Sequence, residues 1–252
     1  MMYIPVDEKE REFLKNYDPN EYEKPSVTVD IVIFTLNDNN KLSVLLIKRS
    51  GYPYKDRWAI PGGFVDMKES IDESARRELY EETHVFDVPI TQFGTFGDVE
   101  RDPRMRVISI AYMAFVPRNQ LNIIAGDDAC DAQIFEIRRS INEVSLIGDR
   151  NVTDISKLAF DHNKILLTAI ERLYNRIDYT DDAFAFLSDD QSFTIYELKK
   201  IYDAVLNTSL DISNFRKDFM RRYVKSGLVI ETGIEEKRAG SKRPAKLYKR
   251  LK

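Results

Sequence analysis

Apolar positions along the chain recur with two different periods. β-branched runs at 26–35 (Ser-Val-Thr-Val-Asp-Ile-Val-Ile-Phe-Thr) and 42–48 (Leu-Ser-Val-Leu-Leu-Ile-Lys) flank Asn37-Asp38-Asn39-Asn40 and predict a strand pair. Further strands are predicted around 92–97, 107–116 and 133–138. Helical spacing appears at 70–83, where Ile71, Ala75 and Leu79 recur every four residues with Ser74 beside them. A longer helix is predicted over 153–177 from Ile155, Leu158, Ala159, Leu166, Ala169, Ile170, Leu173 and Ile177. The polar stretch Asp178 to Asp182 interrupts that pattern. Beyond it, short helices are predicted near 194–206 and 211–226, then a hairpin from Leu228 to Leu251. The expected class is α+β: a mixed-sheet domain over 1–150, a linker helix within 151–180, and a smaller module over 181–252.

Composition narrows the function classes. With 43% hydrophobic residues over 252 positions, the chain has enough apolar material for packed cores, and its single cysteine excludes an intramolecular disulfide framework and a cysteine-built zinc site. The longest largely apolar run, Val107 to Val116, is far short of the roughly 18 residues of a membrane span, and the polar opening residues do not form a signal peptide, so a cytoplasmic protein without membrane partners is expected. Net charge is −4, but residues 212–252 hold 13 basic against four acidic residues, a net of +9 that leaves −13 on residues 1–211. An acidic body with a basic module points to a polyanionic partner.

The densest chemistry lies between Gly62 and Val85. On a helix, Glu78, Glu81 and Glu82 stack three carboxylates on one surface, and a hard divalent cation such as Mg²⁺ would relieve their repulsion. Gly62 and Gly63 permit a turn in which backbone approaches a metal or phosphate closely. The spacing Gly63-x5-Glu69-x7-Arg77-Glu78-Leu79-x-Glu81-Glu82-x-His84-Val85 resembles the Nudix box, except that His84 replaces the last glycine. The resemblance implies a Nudix α/β/α sandwich that hydrolyses a nucleoside diphosphate linked to another group. Glu78, Glu81 and Glu82 would then bind Mg²⁺, Arg77 and Glu69 would orient them, and Gly63 would shape the loop; the metal would polarise the pyrophosphate and help activate water. For the general base, Asp98, Glu100, Asp102, Asp127 and Asp128 all stay open. The family's glycine is expected to end the helix in a left-handed conformation, which costs His84 roughly 1 kcal/mol. The Arg101-Asp102-Pro103-Arg104 stretch, with Trp58 to Val65, resembles the Nudix branch that binds ADP-ribose or related nucleotide sugars. Arg49, Arg101 and Arg104 are then expected at phosphates, beside Gly62 and Gly63.

In the basic module, Thr194 and Glu197 form a capping box that starts one helix. In the next, Phe215, Phe219 and Tyr223 give an apolar face, and Ser213, Asn214, Arg216, Lys217 and Arg221 fall on the other side, as a major-groove recognition helix requires. Lys242, Arg243, Lys246 and Lys249 lie in the hairpin, placed for phosphate contacts. Helix, helix, hairpin is the order of a winged helix-turn-helix domain. The order, with Leu210 to Arg216 and Arg243 to Tyr248, resembles the Nudix-related transcriptional regulators, many of which respond to ADP-ribose and repress NAD-metabolism genes, and some of which respond to pentoses. The resemblance implies a homodimer on double-stranded operator DNA. A Mg²⁺-dependent ADP-ribose pyrophosphatase and a pentose or sugar-phosphate sensor remain as alternatives. His162, with no second histidine or cysteine cluster near it in sequence, is expected to make an inter-domain hydrogen bond rather than bind metal.

Overall fold

The structure, a computed structural model, describes residues 3–121, 129–140, 143–149, 152–237 and 244–251. A short helix α1 (Glu8–Asn16), capped by Asp7, precedes strand β1 (Ser26–Leu36). Then come β2 (Leu42–Arg49), β3 (Trp58–Ala59), β4 (Gly62–Phe64), α2 (Ile71–Thr83), β5 (Ile90–Phe96), β6 (Val107–Phe115), β7 (Ala129–Arg139), β8 (Val144–Ile147) and β9 (Val152–Asp154). These strands form one mixed sheet in the order β5-β6-β1-β2-β7-β8-β9, with β3 added to β2 and β4 to β1. Only the β1–β6 pair is parallel among the described ladders.

Because side chains alternate across a strand, β1 feeds two cores. Val29, Ile31 and Ile33 pack with Ala75 and Leu79 of α2. Val32 and Phe34 face the opposite side, where Ile165, Leu166, Ala169 and Leu173 of α3 (His162–Arg176) cover the sheet. This is the expected α/β/α sandwich.

The predicted helix over 153–177 is corrected at its start. Residues 152–154 instead add β9 to the sheet edge, past residue 150, and residues 155–157 form a single 3-10 turn capped by Asp154. Ala159 donates its backbone N–H to the Trp58 carbonyl at 2.8 Å, and Phe160 takes φ 49°, so the helix begins only at His162. Ile155, Leu158 and Ala159 are buried as expected, but from a turn and not from a helix face. A helical spacing over so few residues cannot distinguish the two.

Beyond α3, a 3-10 turn at 182–186 leads to α4 (Ile195–Leu206) and α5 (Ile212–Phe219), which runs on into a π-helical turn at Met220–Val224; β10 (Val229–Glu236) and β11 (Ala245–Arg250) close the chain as a hairpin. Thr194 and Glu197 form the expected capping box. The α3-side core continues without a break into this module through Phe115, whose ring is tilted against that of Phe186 at 5.1 Å, then Phe193, Leu198, Phe219 and Tyr223. No helix among the described residues is long and apolar enough to cross a membrane.

Candidate functional site

The predicted carboxylates stand on α2, whose N-terminus is held by a capping box between Ser70 and Glu73. Arg77 ties them together. Its Nε donates to both oxygens of Glu69 at 3.1 Å, and one Nη donates to Glu78 Oε1 at 2.7 Å and to Glu81 at 3.3 Å. Burial works against the charge on Arg77, yet the hydrogen bonds to Glu78 and Glu69 hold its pKa raised. Burial likewise raises the pKa of Glu78, with Arg77 opposing it. Glu82 is buried and Glu81 is half exposed. Gly63 has a steric reason: a Cβ there would stand 2.2 Å from Glu78 Oε1, and one at Gly62 would stand 2.2 Å from the Val29 carbonyl. His84 ends α2 at φ 55° and donates its N–H to Tyr80, the left-handed cap expected of a glycine.

The donors suit a hard cation, but their arrangement does not fit one as it stands. Among the described residues no three acidic, histidine or cysteine side chains converge on a common point, and the Arg77 guanidinium lies against Glu78 and Glu81.

Two of the arginines expected at phosphates meet on one ring. The Arg49 guanidinium lies 5.0 Å from the centroid of Phe160, and that of Arg104 lies 5.9 Å from Phe160 and 5.6 Å from Phe64. Tyr54 packs edge-on to Phe160 at 4.7 Å. Beside them opens a cleft of about 550 Å³ that Tyr54, Asp98, Glu100 and Phe160 help to line. Arg101 differs from the expectation. Its side chain is 4% exposed and points inward, with Nε and Nη2 on the two oxygens of Asp161 at 3.1 and 2.7 Å and Asp30 at 3.5 Å, so it supports the cleft from behind. Asp30 also accepts from the Ser109 hydroxyl.

Among the general-base candidates, Asp98 pairs with Lys164, whose hydrogen bond lowers its pKa. Burial opposes ionisation of Asp102, yet both its oxygens accept from Arg104 and its pKa stays lowered. Glu100 is exposed; Asp127 and Asp128 lie outside the described residues.

In the C-terminal module, Ser213, Asn214, Arg216, Lys217 and Arg221 are all exposed, while Phe219 and Tyr223 are buried behind them. Lys246 pairs with Glu231 across the hairpin, Lys249 is half-buried, and Lys242 and Arg243 lie outside the described residues.

Residues 25–151 match the NUDIX domain family, and residues 184–250 match the NrtR DNA-binding winged helix domain. The "ADPR responsive transcriptional repressor NtrR" of Acinetobacter baylyi is 34% identical over 242 residues, covering 95% of this chain and 88% of its own. The chain belongs to the NrtR family of Nudix-related regulators. Among solved structures, a MutT/nudix family protein from Enterococcus faecalis superposes with a TM-score of 0.78 at 33% identity, covering 96% of this chain and 93% of its own. Shewanella oneidensis NrtR in complex with a 27mer DNA superposes with a TM-score of 0.68 at 30% identity, over 89% and 93%. This NrtR-family chain therefore joins a Nudix domain to a DNA-binding winged helix.

Sequence reasoning missed the charged group behind the cleft, Asp30 and Asp161, and expected the hydrogen bond of His162 to lie between domains. His162 is buried, and its Nδ1 accepts the Ile60 N–H at 2.8 Å, which requires the neutral ring; Nε2 lies 3.6 Å from Asp30. The bond ties the start of α3 to the β3–β4 connection, so the expected hydrogen-bonding role holds, at a joint inside the Nudix domain. Burial lowers the His162 pKa, with Arg101 and Arg49 adding to that and Asp30 and Asp161 opposing it. A folded-state pKa below the unfolded value means that the unfolded chain binds the proton first. Stability is therefore expected to fall as pH drops below about 6.5, the ordinary value for histidine. Urea midpoints at pH 7.5 and 5.5 check this: His162→Gln, which keeps an acceptor for Ile60, should show a smaller drop than wild type, and an equal drop would assign it to other groups.

Proposed function

We propose that this chain is a transcriptional repressor that binds operator DNA through α5 and its wing and responds to ADP-ribose or a related nucleotide sugar in the Nudix domain. The carrying observation is the pair of guanidiniums, Arg49 and Arg104, on the Phe160 ring beside the Nudix cleft, in a chain whose C-terminal module presents an exposed basic helix face. Arg49 and Arg104, the latter oriented by Asp102, give a pyrophosphate two cationic partners, and the Tyr54 ring beside them suits a base or ribose face. The relative in Acinetobacter baylyi carries the same response in its name, and the Shewanella oneidensis protein was solved on DNA. A homodimer follows from the operator geometry, since paired recognition helices meet half-sites about one helical turn apart.

Fluorescence anisotropy on the DNA upstream of the chain's own gene, near 0.15 M salt with ADP-ribose titrated in, tests the reading. Selective binding that ADP-ribose weakens supports it. Salt-sensitive binding equal on scrambled DNA, without a ligand response, contradicts it. A response to free pentose but not to ADP-ribose would replace the effector with a sugar. Because Arg49 and Arg104 hold the ligand without a metal, removing divalent ions with EDTA is expected to change the ADP-ribose response by less than about twofold, well below the roughly 5- to 150-fold range typical of such coupling.

The near-complete box on α2 favours a second activity, hydrolysis of the effector. Glu82→Gln separates the two: AMP release lost in the variant while DNA binding and its ADP-ribose response persist would make the chain both regulator and pyrophosphatase.

A further inference from the structure

The entry to α3 is held in an arrangement that the sheet and the helix do not require. Phe160 takes φ 49°, a region that bulky side chains avoid, and its ring partner Tyr54 takes φ 61°. The Phe160 ring lies under two like-charged guanidiniums, Arg49 from the end of β2 and Arg104 from the connection between β5 and β6. Arg104 is oriented by Asp102, which accepts from its Nε and one Nη, and Arg49 donates to the Pro53 carbonyl; a diphosphate between the two guanidiniums offers each a stronger partner than the ring does. Seating such a ligand draws the guanidiniums toward its oxygens and off Phe160.

Phe160 is joined to α3 without slack. On either side of it, Ala159 donates to the Trp58 carbonyl, Asp161 holds Arg101, and His162 accepts from Ile60. The far end of the helix is equally held. The Ile177 carbonyl accepts from the Tyr202 hydroxyl at 3.0 Å, and the Thr180 carbonyl accepts from Arg222 at 3.1 Å. Tyr202 also pairs with the Tyr223 hydroxyl at 2.6 Å. Arg222 and Tyr223 belong to the π turn that continues α5. Helix α3, 15 residues or about 22 Å long, therefore links the arginine pair to the recognition helix, pinned at both ends.

We propose that Phe160 is the residue through which a nucleoside diphosphate sugar seated between Arg49 and Arg104 acts on α3 and, through Tyr202 and Arg222, on the DNA-binding helix. This rests on the reading that the Nudix domain takes a diphosphate effector. A residue that merely fills space at this point would change stability or ligand affinity, whereas a relay residue uncouples ligand from DNA.

The test uses the full chain as wild type, Phe160→Leu and Phe160→Tyr. ADP-ribose affinity is read by calorimetry, and DNA affinity by anisotropy with and without saturating ADP-ribose. In Phe160→Leu, which lies at the ligand cleft, ADP-ribose is expected to bind more weakly but still to saturate at raised concentration, ligand-free DNA affinity to stay within about threefold, and the change in DNA affinity at saturation to fall below about twofold. Phe160→Tyr, which keeps the ring, should retain the response. As a second variant, Tyr202→Phe removes one grip on the far end of α3 and should reduce the response at unchanged ADP-ribose affinity. If Phe160→Leu and Tyr202→Phe respond fully at saturation, the relay is overturned while the effector reading stands. A wild-type chain whose DNA affinity ignores ADP-ribose sinks the effector reading and the relay with it.

Discussion

Arg101→Met is expected to destabilise the folded chain by about 3–5 kcal/mol, the range for removing one partner of a buried ion pair. The substitution keeps the length and much of the volume of the side chain but leaves two carboxylates behind. Asp161 and Asp30 have side chains 9% and 8% exposed, and Arg101 at 4% is the cation against both. Asp30 keeps the Ser109 hydroxyl, and Asp161 keeps its place at the N-terminus of α3, so part of the charge stays solvated by dipoles. For a chain of this length each kcal/mol corresponds to roughly 2–4 °C, so a fall in melting temperature of about 6–20 °C is expected. Asp161→Asn should destabilise in the same direction and by less, because it removes a charge rather than exposing two. A melting temperature unchanged in Arg101→Met, with ADP-ribose affinity lost, would instead return Arg101 to the role its sequence neighbourhood suggests, an exposed phosphate contact.

That contrast shows what the chain makes legible. The α2 carboxylates could be placed because their spacing and the helix period coincide, so adjacency in space is written as adjacency in sequence. The same holds for the apolar stripe of α5 and the strand alternation of β1. The Arg101 group could not be placed that way. Its two carboxylates lie 60 and 71 residues from Arg101, on opposite sides of it in the chain, and each residue looks ordinary locally. One signal was present in β1, where Asp30 interrupts Val29-Ile31-Val32. A carboxylate in a run buried on both faces must have a partner, but nothing local says which. The start of α3 failed for a related reason. Ile155, Leu158 and Ala159 are buried, so their apolar spacing matches a helix face, whereas the Trp58 carbonyl and the edge of β8 take the backbone hydrogen bonds. His84 went the other way: the cost assigned to a non-glycine cap coincides with an observed left-handed conformation, held by its N–H to Tyr80 and a ring contact to the same residue at 5.3 Å.

The double variant Arg216→Ala, Lys217→Ala is expected to lower operator affinity by about 100-fold near 0.15 M salt, since one arginine contact to a base edge is worth about 1–3 kcal/mol and a lysine at phosphate adds to it. Both side chains are exposed on α5, while Phe219 on the same helix is buried, so the substitutions leave the apolar core in place. Melting temperature and ADP-ribose affinity should therefore stay at wild-type values, which separates this variant from Arg101→Met. The salt dependence discriminates further. Each phosphate contact removed lowers the slope of log affinity against log salt by about 0.9, and a base contact removed leaves the slope alone. A slope reduced by about one unit, together with weaker discrimination against scrambled DNA, assigns one of the pair to phosphate and the other to a base. A slope reduced by two with discrimination intact makes both of them phosphate contacts and moves sequence reading to Ser213 and Asn214 at the start of the helix. Affinity within twofold of wild type would show that α5 does not enter the groove. The hairpin, with Lys246 and Lys249, would then carry the DNA contact.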